Sequence, residues 1–428
     1  MRTGRLEHSP DSRGAESWRE VPGGGLGLHP SSVSAVTPLL PHSGTDPTQD
    51  SDKTLVLGTH RATDAATTWT RIEPLLPRLG ITRMADITML DDIGVPVWQA
   101  IQPNAKSLSV AQGKGIDHGL ARISAAMEAL ECWHAEHRNE PAFHACFRDL
   151  QARLGYRMDQ LDLERPSLLT ETLRIGWLNG TDLATGATTW VPHGCVNLDQ
   201  SRPSTLNAPL FSASTNGLAS GNTMEEATLH ALLELLERDL VAHARRQQPQ
   251  VAAATYLDLT SVNGPCSAMV LTRLLDAGVR IRVQDCSSEE VACFSAAIWS
   301  EDLPYVFIGS GCHFDHDVAL SRALTEAAQS RLTAIAGTRD DLPTAIYRAI
   351  TDNRSILPPW PDSPTRRISF DQTPTTLRPF LADDIAAAVA IITQRSEGIH
   401  PVRVDLTRHD IGVPVVHVTA PGLSREPH

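Results

Sequence analysis

The 428-residue chain contains no Cys-x-x-Cys pair, and its seven cysteines (Cys132, Cys146, Cys195, Cys266, Cys286, Cys293 and Cys312) are odd in number. This excludes a disulfide framework or a zinc knuckle and leads us to expect a reducing, cytoplasmic compartment. Positive charge is also scarce: 37 Lys and Arg face 50 Asp and Glu, for a net charge of −13. A chain of that balance should attract neither nucleic acid nor an anionic membrane, and an anionic ligand such as ATP would need local cations. Long apolar runs are missing too. The longest, Ile385 to Ile392, is far too short to span a bilayer, and the first 30 residues lack the apolar core of a signal peptide. No Rossmann glycine fingerprint, Gly-x-Ser-x-Gly elbow or His-Glu-x-x-His occurs. Gly113-Lys114-Gly115 lacks the spacer and the following Ser or Thr of a Walker A loop, so Lys114 is a candidate phosphate contact without a motif behind it.

Hydrophobic content of 41% and charged content of 20% describe a soluble globular chain with enough material for one large or two ordinary domains. Residues 1 to 51 are rich in Ser, Gly, Pro and Thr and read as a disordered leader; the ordered part is expected over 52–424. Thr67 to Leu79 predicts a helix. Trp177 to Val196 alternates around Gly180 and Gly186 and predicts a hairpin; strands are expected over Val279 to Val283 and within Ser295 to Gly309, and a helix over Ala382 to Ser396. Residues 358–376, with four prolines from Pro358 to Pro364, read as a surface loop. The hexapeptide Asp92-Ile-Gly-Val-Pro-Val97 recurs as Asp410-Ile-Gly-Val-Pro-Val415, each copy preceded by Asp-Ile-Thr or Asp-Leu-Thr. This duplication predicts two related halves. Strands and helices in irregular order argue an α+β fold of two pseudo-symmetric, mixed or antiparallel sheets with packed helices.

Three helical segments carry polar side chains along one edge. Ser124, Glu128 and Glu131 fall within about 60° of arc, and Glu226, Glu234 and Glu237 within about 80°. Arg322, Glu326 and Gln329 share an edge of about 60°, with Arg331 elsewhere on the same helix. Asp117 can cap the first helix, whose apolar stripe reads as Leu120, Ile123, Met127 and Leu130; Thr223 with Glu226 reads as a capping box for the second. Clustered carboxylates repel unless cations lie between them, which points to magnesium with a phosphate ligand behind it. His313-x-x-His316 with Asp315 and Asp317 reads better as a pre-helix turn than as a metal site. Glu131-x-x-His134 matches half of a di-iron carboxylate bundle, but no second Glu-x-x-His follows and the expected strands oppose an all-helical bundle.

Together these residues resemble the YcaO family, which modifies peptide backbones using ATP. The match rests on Ser124-x-x-x-Glu128-x-x-Glu131, on Asn216 to Asp239 with its Gly-Leu-Ala-Ser-Gly-Asn and Glu-Leu-Leu-Glu-Arg-Asp stretches, and on Arg322 to Arg331. Gly58-Thr-His-Arg61 and Gly337-Thr-Arg-Asp-Asp341 resemble the branch found with TfuA partner proteins. The resemblance implies ATP and Mg2+ as cofactors, with the metals on Glu128, Glu131, Glu234 and Glu237 and the nucleotide site between the two sheets. It places Ser124, Asn222, Glu226, Arg238, Arg322, Glu326, Gln329 and Arg331 around the nucleotide. It implies a ribosomally made precursor peptide or protein as substrate, a TfuA-like partner, and allows a homodimer. It further implies that a nucleophile adds to a backbone amide carbon and ATP phosphorylates the amide oxygen. Sulfide would then give a thioamide, a neighbouring Cys, Ser or Thr an azoline, and an amine an amidine. The chain lacks the Pro-x-Pro-x-Pro tail typical of azoline-forming members, which favours thioamidation over the alternatives of an azoline-forming cyclodehydratase or a non-catalytic nucleotide-binding subunit. Cys132 stands where members often carry Arg and is expected to be structural.

Overall fold

The duplicated hexapeptide makes the same hairpin twice in the computed structural model, which describes residues 52–424 except 57, 138–139, 200–209, 213, 249–251, 253, 340–345 and 349–366. In chain order, β1 (Thr54–Val56), β2 (Thr59–Arg61) and helix α1 (Ala65–Ile72) lead to β3 (Arg83–Asp86), β4 (Val97–Ile101), β5 (Val110–Lys114) and α2 (His118–Glu136). Then come β6 (Phe143–Ala145), the short helix α3 (Phe147–Leu150), β7 (Ile175–Asp182), β8 (Thr188–Pro192), β9 (Leu218–Ser220) and α4 (Met224–Arg245). Helix α5 (Pro265–Asp276) precedes β10 (Arg280–Asp285), β11 (Ala292–Trp299), β12 (Phe307–His313) and α6 (His316–Ala336); α7 (Leu381–Arg395), β13 (Val402–Asp405) and β14 (Val415–Thr419) follow.

In the first hairpin Asp86 lies opposite Trp98, and in the second Asp405 lies opposite Val416, which is the same register. The turn chemistry repeats as well. Thr88 Oγ1 accepts from Val97 N at 3.1 Å, and Thr407 Oγ1 accepts from Val415 N at 3.2 Å. Gly94 and Gly412 supply the left-handed residue at φ 71° and 74°, a conformation glycine adopts without a Cβ penalty.

Each hairpin then gains a third antiparallel strand that runs into a helix. β5 joins β4 and continues into α2; β9 joins β14 and continues into α4. A third unit of the same kind, β10-β11-β12 followed by α6, carries no sequence copy of the hexapeptide. The α+β reading holds, and its two sheets become four among the described residues: β1-β2, β3-β4-β5, β10-β11-β12, and a six-stranded sheet in the order β6-β7-β13-β14-β9 with β8 added to β7.

Helix and strand are joined by close backbone contact. A Cβ on Gly113 would sit 2.0 Å from Ala125 N, and one on Gly309 would sit 2.2 Å from Ala327 N. The facing helix residues are accordingly alanines, Ala121, Ala125 and Ala129 on α2 and Ala319, Ala323 and Ala327 on α6, all at 0% exposure. This corrects the expected stripe of α2. Leu130 is buried, but Leu120, Ile123 and Met127 are only half-buried, because strand backbone leaves room for nothing larger than Ala on the inner face.

The expected hairpin is β7-β8, and the strands and helix expected in the C-terminal half are β10, β11, β12 and α7. The helix expected over Thr67–Leu79 starts two residues earlier and stops at Ile72, where Pro74 forces a tighter 3-10 turn over Glu73–Leu75. The leader and residues 358–366 lie outside the described residues. The remainder of the expected surface loop is anchored: Phe370 is fully buried and Ile368 pairs with Leu257. All seven cysteines are free. Among the described residues no helix is long and apolar enough to cross a membrane.

Candidate functional site

The three strand–helix units place their polar edges in one register. The caps of α2, α4 and α6 are Asp117, Thr223 and Asp315, each accepting a backbone N–H of the first turn. Seven residues after the caps stand Ser124, His230 and Arg322; eleven after, Glu128, Glu234 and Glu326; fourteen after, Glu131, Glu237 and Gln329. At 100° per residue these positions span one narrow helix edge.

Each strand also reaches across to the helix of another unit. Ser220 on β9 donates its N and Oγ to Glu131 Oε1 on α2, at 2.8 and 2.7 Å. Lys114 on β5 pairs with Glu326 on α6 at 2.7 Å. Ser310 on β12 donates to Glu237 Oε1 on α4 at 2.6 Å. The three contacts close a ring around the space between α2, α4 and α6. Gly217 N adds a 3.2 Å bond to Glu234 Oε2.

The four glutamates expected to hold metal converge. Burial is the main influence on three of them: it pushes Glu128 and Glu234 up to about 7 and Glu131 up to about 8. Glu131 is raised further by Glu128 and Glu234, and Glu234 by Glu237, so the carboxylates lie within electrostatic reach of one another. Yet no three His, Cys, Asp or Glu among the described residues are close enough to share one ion as a ready-made cage. Spaced, all-oxygen donors, with Glu237 buried and Glu128, Glu131 and Glu234 half-buried, suit Mg2+, which keeps waters and takes phosphate oxygens to complete its shell.

Cations rim the set. After burial, Arg339 and Lys114 are the main charges acting on Glu128, and Arg238, although exposed, is the largest on Glu234. Arg322 Nη2 lies 3.1 Å from His230 Nε2. Ser124 and Gln329 are half-buried and make no side-chain hydrogen bond among the described residues, which leaves their polar groups open to a ligand.

Other expected residues are occupied. Thr223 caps α4, but Glu226 does not close a capping box. Its carboxylate instead accepts from Ala62 N at 2.9 Å, Arg61 Nη1 at 3.2 Å and Asn222 Nδ2 at 3.3 Å. Asn222 Oδ1 accepts from Thr68 at 3.1 Å, so Asn222 and Glu226 together tie β2 and α1 to α4. Arg331 stands apart from the ring, two residues and hence about 200° beyond Gln329. It is 4% exposed and spends its guanidinium on Asp91 at 2.9 Å, Asp302 at 2.7 Å and Ser300 at 2.6 Å, so the geometry gives no support to its expected place at the nucleotide.

Asp315, not Asp317, caps α6. Asp317 accepts Cys266 N and Ser267 N at 3.0 and 2.8 Å and so caps α5 instead. His313 and His316 are engaged by Asp315 N and Thr373. Cys132 is buried and its thiol is raised well above the ordinary range, first by burial and then by Glu128 and Glu131, as suits an inert side chain. Sequence reasoning passed over Arg61, Ser220, Ser310 and Arg339 as site neighbours, and His230 altogether. The spacing from the caps was the signal that could have found His230.

The raised carboxylates give the protein a pH signature. Between their ordinary 4.5 and about 7–8, these three carboxyls hold more protons in the folded metal-free chain than in the unfolded one, so their contribution to stability falls as pH rises through that window. Below about 6.5 the buried histidines act oppositely: His134 is lowered to about 4, and His230 and His313 well below 6.5, all chiefly by burial. Melting temperature should therefore drop between pH 6.5 and 8.5 without metal, and Mg2+ with ATP should restore more at pH 8.5 than at 6.5. Melts with and without Mg·ATP at both pH values check this; equal gains at the two would refute it.

A family model described as YcaO cyclodehydratase, ATP- and Mg2+-binding, matches residues 112–424. An uncharacterized protein of Mycobacterium tuberculosis (strain ATCC 25618 / H37Rv) is 40% identical over 387 residues, which is 86% of this chain and 83% of that protein. An uncharacterized protein in the tfuA 3' region of Rhizobium leguminosarum bv. trifolii is 38% identical over 302 residues, 68% of this chain and 71% of its own. Among solved structures, YcaO from Methanopyrus kandleri bound with AMPPCP and Mg2+ superposes with a TM-score of 0.65 at 24% identity, covering 87% of this chain and 95% of that one. A heterocyclase in complex with substrate and cofactor gives a TM-score of 0.71 at 23% identity; the match covers 88% of this chain but 54% of the heterocyclase, so this chain spans about half that protein's length. These structural likenesses show the shared fold. The sequence match over three quarters of the chain, ordered around three carboxylate-bearing helices, carries the conclusion that this chain belongs to the YcaO family of ATP- and Mg2+-binding, peptide-modifying enzymes.

Proposed function

We propose that the chain is a cytoplasmic enzyme that activates a backbone amide of a ribosomally made peptide or protein by O-phosphorylation and replaces its oxygen with sulfur. The observation that carries this reading is the convergence of Glu128, Glu131, Glu234 and Glu237 inside a rim of Lys114, Arg322 and Arg238. Mg2+ and ATP, when bound, supply a transferable phosphoryl group and the charge that stabilises its transfer. The four glutamates would hold the metals. Lys114, Arg322 and Arg238 would face the phosphates, while Ser124, Glu326 and Gln329 line the same space and Asn222 and Glu226 brace it. In the overall reaction the sulfur of hydrosulfide bonds to the amide carbon, the amide oxygen departs on phosphate, and ATP leaves as ADP.

Two observations favour the thioamide. A relative 38% identical to this chain is encoded in a tfuA 3' region. Both stretches that resemble the TfuA-associated branch also reach the site: Arg61 pairs with Glu226, and Arg339 is the foremost charge acting on Glu128.

Incubating the chain, a TfuA-like partner, sulfide and Mg·ATP with a candidate precursor peptide sought among the neighbouring genes should raise the peptide mass by about 16 Da, oxygen exchanged for sulfur. A loss of about 18 Da would instead identify an azoline-forming enzyme. No mass change together with no ATP consumption would defeat the proposal.

A further inference from the structure

His230 occupies on α4 the position that Ser124 occupies on α2 and Arg322 on α6, seven residues past the cap and four before Glu234, the counterpart of Glu128 and Glu326. Its Nε2 lies 3.1 Å from Arg322 Nη2. A guanidinium can only donate, so Nε2 is the acceptor and the imidazole hydrogen sits on Nδ1. Nδ1 is shielded from solvent and has no hydrogen-bond partner among the described residues. An N–H left in that condition is costly, and a ring flip would not rescue it without losing the bond from Arg322.

What the ring lacks is therefore an acceptor, and the charges around it say of which kind. Arg322, Arg61 and Lys114 all act on His230, and together with burial they hold the ring neutral. Two carboxylates of the site are already engaged, Glu326 by Lys114 and Glu226 by Arg61, Ala62 and Asn222. An uncharged donor that is left unpaired among three cations is suited to an anionic oxygen brought by a ligand.

We infer that His230 is a further ligand-binding residue of this site, donating its Nδ1 hydrogen to a phosphate oxygen of the nucleotide while its Nε2 holds Arg322 in line. The inference rests on the ATP site proposed above. It gives all three helices a phosphate-facing group at the same position: a hydroxyl, an imidazole and a guanidinium.

The test is calorimetric titration of Mg·ATP and of inorganic triphosphate with Mg2+ into the full chain and its His230 variants. His230→Phe keeps the ring volume but has no donor, and it should weaken both ligands by about 10- to 100-fold, the range of a hydrogen bond to a charged group. His230→Asn places an amide N–H where Nδ1 was and should stay within about threefold of the unaltered chain. His230→Gln reaches Arg322 but leaves the Nδ1 position empty, and should resemble the Phe variant. If the Phe chain does not fold, the Asn and Gln variants decide between themselves. Equal affinities across the variants, or a loss for Mg·ATP with none for triphosphate, would overturn the inference while leaving the site reading intact. Failure of the unaltered chain to bind Mg·ATP would overturn both.

Discussion

Glu128→Gln and Glu237→Gln should each lower peptide-dependent ATP turnover by at least about a hundredfold, because metal-assisted charge stabilisation amounts to several kcal/mol of the barrier. The same changes should do the opposite to the empty protein. Glu128 is held up to about 7 mainly because burial penalises its charge, and an amide of the same shape removes that penalty. In Glu237→Gln the amide oxygen can still accept from Ser310, so the ring contact survives. Both variants should therefore melt at or above the unaltered chain at pH 8 without metal, while gaining little from Mg·ATP. This pairing separates a cation-binding role from a structural one. A scaffold glutamate would lose stability along with activity when replaced, and a variant that melted lower and kept its turnover would end the argument for metal binding there.

Gly113→Ala and Gly309→Ala should have the largest effects on folding. In each, the new methyl would lie at 2.0 or 2.2 Å from a main-chain nitrogen of the helix behind it, closer than two atoms can approach without displacing backbone. Overpacking costs of about 1–3 kcal/mol apply where flexible side chains can move aside. Here the obstacle is a helix backbone in the core, and a cost above about 4 kcal/mol is expected, in the rare tail of single substitutions. Against a typical total stability of about 5–15 kcal/mol, either change should give mostly insoluble protein or a strongly lowered melting temperature. Gly155→Ala serves as the control: its Cβ would meet nothing within 4 Å. Soluble Gly113→Ala that melts with the control would show that strand and helix can separate, and would contradict the close contact described above.

The acidic edges were legible in the sequence because helix periodicity is a property of the chain alone: Glu128 with Glu131 and Glu234 with Glu237 share a face whatever surrounds them. The duplicated hairpin was legible because the turn demands particular residues, a left-handed glycine and a threonine whose hydroxyl takes a strand N–H. The third unit was not, since β10 to β12 reach the same backbone arrangement with none of the hexapeptide residues. Leu120, Ile123 and Met127 misled because hydrophobicity suggested the core side, whereas the space beside β5 admits only alanine. Arg331 could not be separated from Arg322 by residue type; its commitment to Asp91 and Asp302 depends on residues 240 and 29 positions away. His230 went unnoticed because a lone histidine on a leucine-rich helix is unremarkable until the caps of three helices are aligned.

The order in which the strands pair has a bearing on synthesis. β9, which carries Ser220 to Glu131, is held in its sheet by β14, a strand made nearly two hundred residues later. A nascent chain that has already released α2, α4 and α6 from the ribosome thus owns every glutamate of the site but lacks the strand that fixes one arc of the ring. Competence to take up nucleotide should arrive late and abruptly, with the emergence of Val415 to Thr419, so a half-made enzyme would not draw on the cell's ATP.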